Sequence, residues 1–149
     1  MTTADDILGR KSGEAPIPGL CAGSFRQVVV DYERGESSQK KTPYVRFVCK
    51  VRSAEEDVKA EDLKALGDLS LKSTNHDFYL TDNALFMLDR FLGDTLGLKL
   101  GRPYRELVPE AVGKEFIAHY SGEEIVRDGK PTGQYRYERA DSYAPVKGK

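Results

Sequence analysis

The sequence predicts a mainly β fold, a five-stranded Greek-key barrel with a helix between its third and fourth strands. Residues 42–52 alternate strictly between apolar and polar side chains, which is the pattern of a half-buried strand. Turn-forming residues separate further runs that are rich in β-branched and aromatic side chains. One segment between the third and fourth of these runs instead spaces its leucines three and four residues apart, which is typical of a helix.

Length and composition suit one domain. The chain has 149 residues, of which 39% are hydrophobic, enough to build one core. We expect a flexible arm over 1–20, a folded domain over 21–146 and a short basic tail over 147–149. No run approaches the roughly 20 apolar residues of a membrane span, and the first residues lack the apolar stretch of a signal peptide. A cytoplasmic protein without membrane association is therefore expected.

Two strands open the predicted domain. The first covers Gly23 to Glu33 and leads into a turn at 35–38. The second covers Thr42 to Arg52 and gives the clearest signal in the chain. Its apolar face holds Val45, Phe47, Cys49 and Val51, and its polar face holds Tyr44, Arg46, Lys50 and Arg52.

A loop and a third strand follow. Residues 53–68 are acidic and rich in alanine, which predicts a loop with a short helical turn outside the barrel. Residues 69–80 regain strand character, but their alternation slips near Asn75. The slip indicates a β-bulge in the third strand.

Two helices are predicted next. The first is capped by Thr81 and ended by Gly93. Its apolar face combines Leu85, Leu88 and Leu92 with Phe86. The second is shorter, lies around 104–108, and is bounded by two prolines of which the earlier suits a first helical turn.

The last two predicted strands cover 114–124 and 134–143, and a hairpin turn at Asp128-Gly129 lies between them. The resulting order, β-β-β-α-β-β, is that of the oligonucleotide-binding (OB) fold, in which a helix closes one end of the barrel. A twisted sheet covered by one helix would satisfy the same apolar pattern. The closed barrel is thus inferred from the order of the elements.

The sequence carries no pattern typical of catalysis, a metal site or a cofactor site. Cys21 and Cys49 form no Cys-x-x-Cys pair, and we expect both to be reduced, packed thiols. His76 and Asp77 are neighbours on a strand, so their side chains point to opposite faces and cannot act as a base and its orienting acid. His119 is expected to be a packed or surface residue. We therefore expect a protein without enzyme activity, metal or cofactor.

Three segments resemble phage-encoded OB-fold single-stranded DNA-binding proteins. They are GSFRQVVVDYERGESSQKKTPYVRFVCKV, the helical DNALFMLDRFLGDTLG, and VGKEFIAHYSGEE. The resemblance extends over roughly 19–146. It implies a protein that protects or organises single-stranded DNA in phage replication or recombination, in the cytoplasm of the host cell. Replication or recombination proteins, and further copies of the chain, are the partners that it implies. Many such proteins recruit replication enzymes through an acidic tail, whereas the last residues here are basic, so we do not expect recruitment by that route.

A single-stranded nucleic acid needs cations along a groove and flat rings for its bases. Residues 23–52 contain seven basic and three acidic side chains, a local charge of +4. OB-folds bind across strands two and three and the loops that join strands one to two and four to five. The predicted nucleic-acid-binding residues are Arg26, Lys40, Lys41, Tyr44, Arg46, Lys50, Arg52, Arg127, Lys130, Tyr135, Arg136, Tyr137 and Arg139. Among them we expect the largest roles for Tyr44, Arg46, Lys41 and Lys50.

Other interpretations of these residues stay open. Tyr135 and Tyr137 also suit cross-strand packing, and basic residues on a strand also serve solubility and edge protection. The rival function is a protein-binding OB adaptor in phage replication or assembly. The net charge of only -1 and the acidic insertion at 55–62 support that alternative.

Overall fold

The computed structural model describes residues 20–146, and all structural statements below refer to this range. The remaining parts of the expected arm and the basic tail lie outside it. The structure is mainly β, with a strongly curled five-stranded antiparallel sheet that forms a half-barrel. Its strands are β1 (Gly23–Glu36), β2 (Pro43–Ala54), β3 (Ser73–Tyr79), β4 (Glu115–Tyr120) and β7 (Ser142–Ala144), in the order β3-β2-β1-β4-β7. A separate hairpin consists of β5 (Glu123–Arg127) and β6 (Lys130–Arg136).

The helical segments are short and lie between strands. Helix α1 (Ala60–Leu66) and a 3-10 turn (Leu69–Leu71) connect β2 to β3. Helix α2 (Leu85–Arg90), continued by a π turn (Phe91–Thr95), and helix α3 (Tyr104–Glu110) connect β3 to β4. No helix in 20–146 has the length and apolarity needed to cross a membrane.

Strand β1 is the long, bent element around which the sheet curls. It pairs with β2 along its length and with β4 over its first residues, Gly23 to Val28. Its register with β2 shifts between Arg26 and Gln27 and again between Val29 and Asp31. Bulges of this kind bend a strand and increase its twist. They allow β1 to pair with both β2 and β4 in a curved sheet.

The core lies inside the curl and is rich in aromatic rings. The predicted inward face of β2 is confirmed, since all four of its apolar residues are buried. Phe91, in the turn after α2, lies 4.9 Å from Phe78 and 5.1 Å from Phe116, between ring centroids. One ring thus joins the helical connection to β3 and β4, at separations typical of aromatic pairs.

Tyr143 fills the gap between the two sheet edges. Within the described chain, no backbone ladder joins β3 to β7. The Tyr143 ring instead packs against Phe91 at 5.1 Å and His76 at 5.2 Å, and its hydroxyl lies 3.0 Å from His76 Nδ1. Side-chain packing therefore takes the place of backbone pairing between the edges.

A buried polar chain crosses the interior beside this ring. Gln27 donates from Nε2 to the Tyr120 hydroxyl at 2.9 Å, and its Oε1 lies 2.8 Å from His76 Nε2 and accepts from Thr74 at 2.5 Å. Because Oε1 accepts the Nε2 proton, Nδ1 of His76 is left to accept from Tyr143. Burial lowers the pKa of His76 to about 4, so this imidazole is neutral near neutral pH.

The structure corrects the predicted third strand and the first helix. Residues 69–71 form a 3-10 turn because the Asp68 carboxylate accepts from the Ser70 backbone N–H, and β3 pairs with β2 without a bulge at Asn75. The helix does not end at Gly93, since the π turn continues to Thr95. A Cβ at Gly93 would lie 3.0 Å from Leu100, so glycine permits close packing there.

The predicted fourth and fifth strands are also each divided. Strand β4 ends at Tyr120, and Gly122 follows with a φ of +93°, which a strand residue with a side chain rarely adopts. The segment 137–141 separates β6 from β7. The turn at Asp128-Gly129 is confirmed, with φ of 53° and 75°. Helix α1 lies within 53–68, where a short helical turn was predicted, and the second short helix is present as α3, although it runs past Pro109 to Glu110.

Candidate functional site

A cleft of about 1010 Å³ runs along the gap between β3 and β7. We call it the β3–β7 cleft. Strand β3 contributes all of its residues to the lining. The rest comes from helix α2, the π turn that follows it, the segment 137–143 and one side chain of β2. The residues that carry charge or an aromatic ring there are Arg46, His76, Asp77, Phe78, Tyr79, Phe86, Arg90, Phe91, Tyr137, Glu138, Arg139, Asp141 and Tyr143.

The cleft gathers exposed apolar side chains. Tyr79 is 44% exposed, Phe86 48% and Met87 54%. Tyr137 also lines the cleft and is half-buried, because its ring packs on Gly122, where a Cβ would lie 2.6 Å from the ring. Exposed rings in one concave surface are suited to stacking against flat ligand groups.

The charges of the cleft are nearly balanced. Arg46 is held by Asp77 through hydrogen bonds of 2.7 and 3.0 Å, and Glu33 lies 3.6 Å from it. The bond to Asp77 raises the pKa of Arg46. Within residues 20–146, Arg90 and Arg139 have no carboxylate within salt-bridge distance. These two arginines are the cations of the cleft that remain available to an anion.

Tyr44 and Arg46 lie together at the margin of the cleft, on the outer face of β2. The Arg46 guanidinium lies 5.4 Å from the centroid of the Tyr44 ring, a cation–π distance. Tyr44 also makes an edge contact with Tyr79, with 6.2 Å between the ring centroids. The structure thus places a ring of the predicted site next to a ring that the prediction omitted.

The loop between β1 and β2 adjoins the same ring. A second hollow of about 400 Å³ is lined by Lys40, by its loop neighbours and by Tyr79, Thr81 and Ala84. Lys40 is therefore close to the β3–β7 cleft, with Tyr79 common to both hollows. Lys41 is exposed and has a φ of 54° in the same loop.

Two of the predicted cations have their charge compensated away from the cleft. Arg26 and Arg52 both bind Glu115 of β4, with nitrogen–oxygen distances of 2.5 and 3.2 Å. Neither lines the cleft. Lys50 is exposed and pairs across the sheet with Ser73, which does line it.

The hairpin carries the other predicted residues. Arg127 and Lys130 flank its turn, and Tyr135 and Arg136 lie on β6, with all four exposed. Tyr137 and Arg139 follow the hairpin and line the cleft. The structure therefore brings Arg46, Tyr137 and Arg139 together in the cleft. The hairpin tip is not part of its lining.

Of the lining residues, sequence reasoning named only Arg46, Tyr137 and Arg139 as binding residues. The exposed residues that it missed include Tyr79, Phe86, Met87 and Arg90. The assignment of Phe86 to the buried face of the helix is wrong, since nearly half of its surface is exposed. The available signal was the spacing of Phe86 and Arg90, which places a ring and a cation one helical turn apart.

Ser24, Asp57 and His119 form a polar cluster on the outer surface of β1 and β4. The Ser24 hydroxyl lies 2.8 Å from Asp57 Oδ2 and 2.9 Å from His119 Nδ1. In a hydrolase triad the histidine uses one nitrogen toward the serine and the other toward the acid. Here the single nitrogen Nδ1 faces both groups. The geometry suits anchoring of the loop before α1 and does not match a nucleophile with its base.

Replacing Gly35 by alanine should displace the Tyr44 ring. The new Cβ would lie 2.6 Å from the Tyr44 hydroxyl oxygen, and the ring end can move away because it is half-exposed. We expect the free energy of unfolding to change by less than about 1 kcal/mol. The ring-proton NMR shifts of Tyr44 and Tyr79 should change. Ser38→Ala in the neighbouring loop is the control, and unchanged Tyr44 shifts in Gly35→Ala would contradict the packing described.

Comparison of the chain with known protein families and with curated proteins found no match.

Proposed function

We propose that this protein is a non-catalytic single-stranded DNA-binding protein of the OB-fold type, which holds the strand in the β3–β7 cleft. The carrying observation is the convergence of Tyr79, Phe86 and Tyr137 with the unpaired Arg90 and Arg139 in one open groove. The groove adjoins β2, β3 and the loop between β1 and β2, the surfaces that OB-folds use for oligonucleotides. Resemblance to phage proteins supports a role in protecting or organising DNA during phage replication or recombination.

The finer fold belongs to the same proposal. The sheet order β3-β2-β1-β4-β7 is that of an OB barrel if β7 serves as the fifth strand. The hairpin β5–β6 is then an insertion between strands four and five, and α2 and α3 occupy the connection between strands three and four. In this arrangement the packing and hydrogen bond of Tyr143 take the place of the missing backbone ladder between β3 and β7.

The balance of charges predicts how the DNA is held. Stacking contributes about 1 to 3 kcal/mol per base, so two or three rings can supply most of the affinity. Arg90 and Arg139 line the cleft, and Lys40 and Lys50 lie beside it, which allows two to four phosphate contacts. At about -0.7 per phosphate for a single strand, the slope of log affinity against log salt should be about -1.4 to -2.8.

Fluorescence anisotropy with labelled oligo-dT at several salt concentrations tests this function. We expect binding with the shallow slope above, and a loss of about tenfold in affinity for Tyr79→Ala. Arg139→Ala should make the slope shallower by about 0.7. Leu71→Ala, an exposed apolar residue outside the cleft, is the control. Absence of binding at low salt, or equal binding by Tyr79→Ala and the unaltered protein, would overturn the proposal.

A protein-binding OB adaptor is the second candidate. It is favoured by the three acidic side chains in the cleft lining, Asp77, Glu138 and Asp141, which match the number of arginines. Affinity for a polypeptide with no measurable binding to oligo-dT at low salt would support the adaptor and exclude the DNA-binding function.

A further inference from the structure

We propose that helix α2 supplies a separate nucleobase-binding position, in which an unpaired base stacks on Phe86 while Arg90 holds the adjoining phosphate. The inference rests on the proposed function and deepens it. It assigns a role to the side of the cleft that OB-folds do not use for their strand-face contacts.

The two side chains are already arranged as a pair. Arg90 lies one helical turn after Phe86, and its guanidinium lies over the ring, 5.4 Å from the ring centroid, so the base of this proposal would stack on the opposite ring face. The ring is 48% exposed and borders the cleft. No carboxylate of the described residues binds Arg90. Its charge is therefore available to a phosphate, unlike that of Arg46, which Asp77 holds.

The helix that carries the pair is firmly anchored. Leu88 of α2 is 0% exposed, and Phe91, the first residue of the π turn that continues the helix, is 1% exposed, and both pack into the core. Asp89 accepts a hydrogen bond of 2.6 Å from the Tyr104 hydroxyl of α3, which ties the two helices together. Phe86 and Arg90 are thus presented on a rigid support, so little conformational freedom is lost when a ligand binds.

The chemistry of the pair selects an unpaired base. In a duplex the faces of each base are covered by its stacked neighbours, whereas in a single strand they are open to an aromatic ring. The exposed phenyl ring can stack against one base, and the single free cation beside it can bind the phosphate of the same nucleotide. Met87, also exposed beside Phe86, extends the apolar surface on which the base would rest.

Affinity measurements on paired variants test the inference. Phe86→Ala should weaken oligo-dT binding about tenfold. It should leave binding to an oligonucleotide of the same length with abasic sugars unchanged, because stacking needs the base. Arg90→Ala should weaken binding to both oligonucleotides and make the salt slope shallower by about 0.7. Leu71→Ala and Arg105→Ala are the controls, since both residues are exposed and lie outside the cleft.

A fluorescent variant gives an independent measurement. The chain contains no tryptophan, so Phe86→Trp introduces a single indole at the proposed position. We expect its emission to be quenched by oligo-dT and unchanged by the abasic oligonucleotide. If the unaltered protein binds oligo-dT and Tyr79→Ala weakens it, but Phe86→Ala has no effect and the indole is not quenched, this inference fails and the proposed function stands. If the unaltered protein does not bind, both fail.

Discussion

Replacing Tyr143 by alanine is expected to lower the free energy of unfolding by about 3 kcal/mol, the lower end of the usual cost of removing a large core ring, because this ring packs against the core but is partly exposed. The ring packs against Phe91 and His76 at 5.1 and 5.2 Å and against Phe78 and Phe116 at 5.9 Å. Strand β7 has only three residues and pairs only with β4. Without the ring, nothing comparable would hold β7 beside β3, and the cleft would lose one side.

Urea unfolding measures this effect. Tyr143→Phe separates packing from hydrogen bonding, because it keeps the ring and removes only the hydroxyl that faces His76. It should cost about 1 to 3 kcal/mol, since a buried acceptor loses its partner. Tyr135→Ala, at an exposed tyrosine of the hairpin, should stay within about 0.5 kcal/mol of the unaltered protein. A loss below about 1 kcal/mol for Tyr143→Ala would show that the ring does not close the sheet.

Tyr143→Ala should also weaken the binding of oligo-dT. Tyr143 lines the cleft together with Tyr137 and Arg139, which precede β7 in the chain. Release of β7 would separate Arg139 from α2, so Tyr143→Ala should bind more weakly even at temperatures where it stays folded. Tyr143→Phe should bind like the unaltered protein, because its ring keeps β7 in place.

The sequence correctly predicted those elements that are determined by residues close together in the chain. The alternation in β2 and the turn at Asp128-Gly129 depend on neighbouring residues, and both are present. The break after Tyr120 depends on a distant contact, because the Tyr137 ring packs on Gly122. Similarly, Gln27 sits in an apolar strand pattern, but the partners that satisfy it are 47 to 93 residues away.

The sequence showed where basic residues lie on β2, but it did not show which of them are already paired with a carboxylate and so are less available to a ligand. Arg46 and Arg52 stand at the expected alternate positions of β2, yet their acidic partners lie on β3 and β4. A composition count cannot show that pairing, since it depends on which strands become neighbours. Phe86 was misplaced for the same reason, because the buried face of a short helix is fixed by what packs against it.

Acidification from pH 6.5 to pH 4 should destabilise the fold by about 3 kcal/mol through His76 alone. Burial lowers its pKa from 6.5 to about 4, and each pKa unit corresponds to about 1.4 kcal/mol. Above pH 6.5 the imidazole is neutral in both the folded and the unfolded state, so its burial does not lower the free energy of unfolding. As the pH falls toward 4, the unfolded chain takes up a proton that the folded protein excludes, so stability decreases. Below pH 4 both states are protonated and the loss from this residue stops growing.

Urea unfolding over this pH range, with His76→Gln and His119→Gln for comparison, isolates the cause. The chain has two histidines, and carboxyl groups such as Glu115, whose pKa is lowered by its bond to Arg26, lose their contribution only below about pH 4.5. His76→Gln should be less stable at neutral pH but should change little between pH 6.5 and 4.5. His119→Gln should keep the decline. If His76→Gln declined as steeply as the unaltered protein, the buried imidazole would not be the group that the acid titrates.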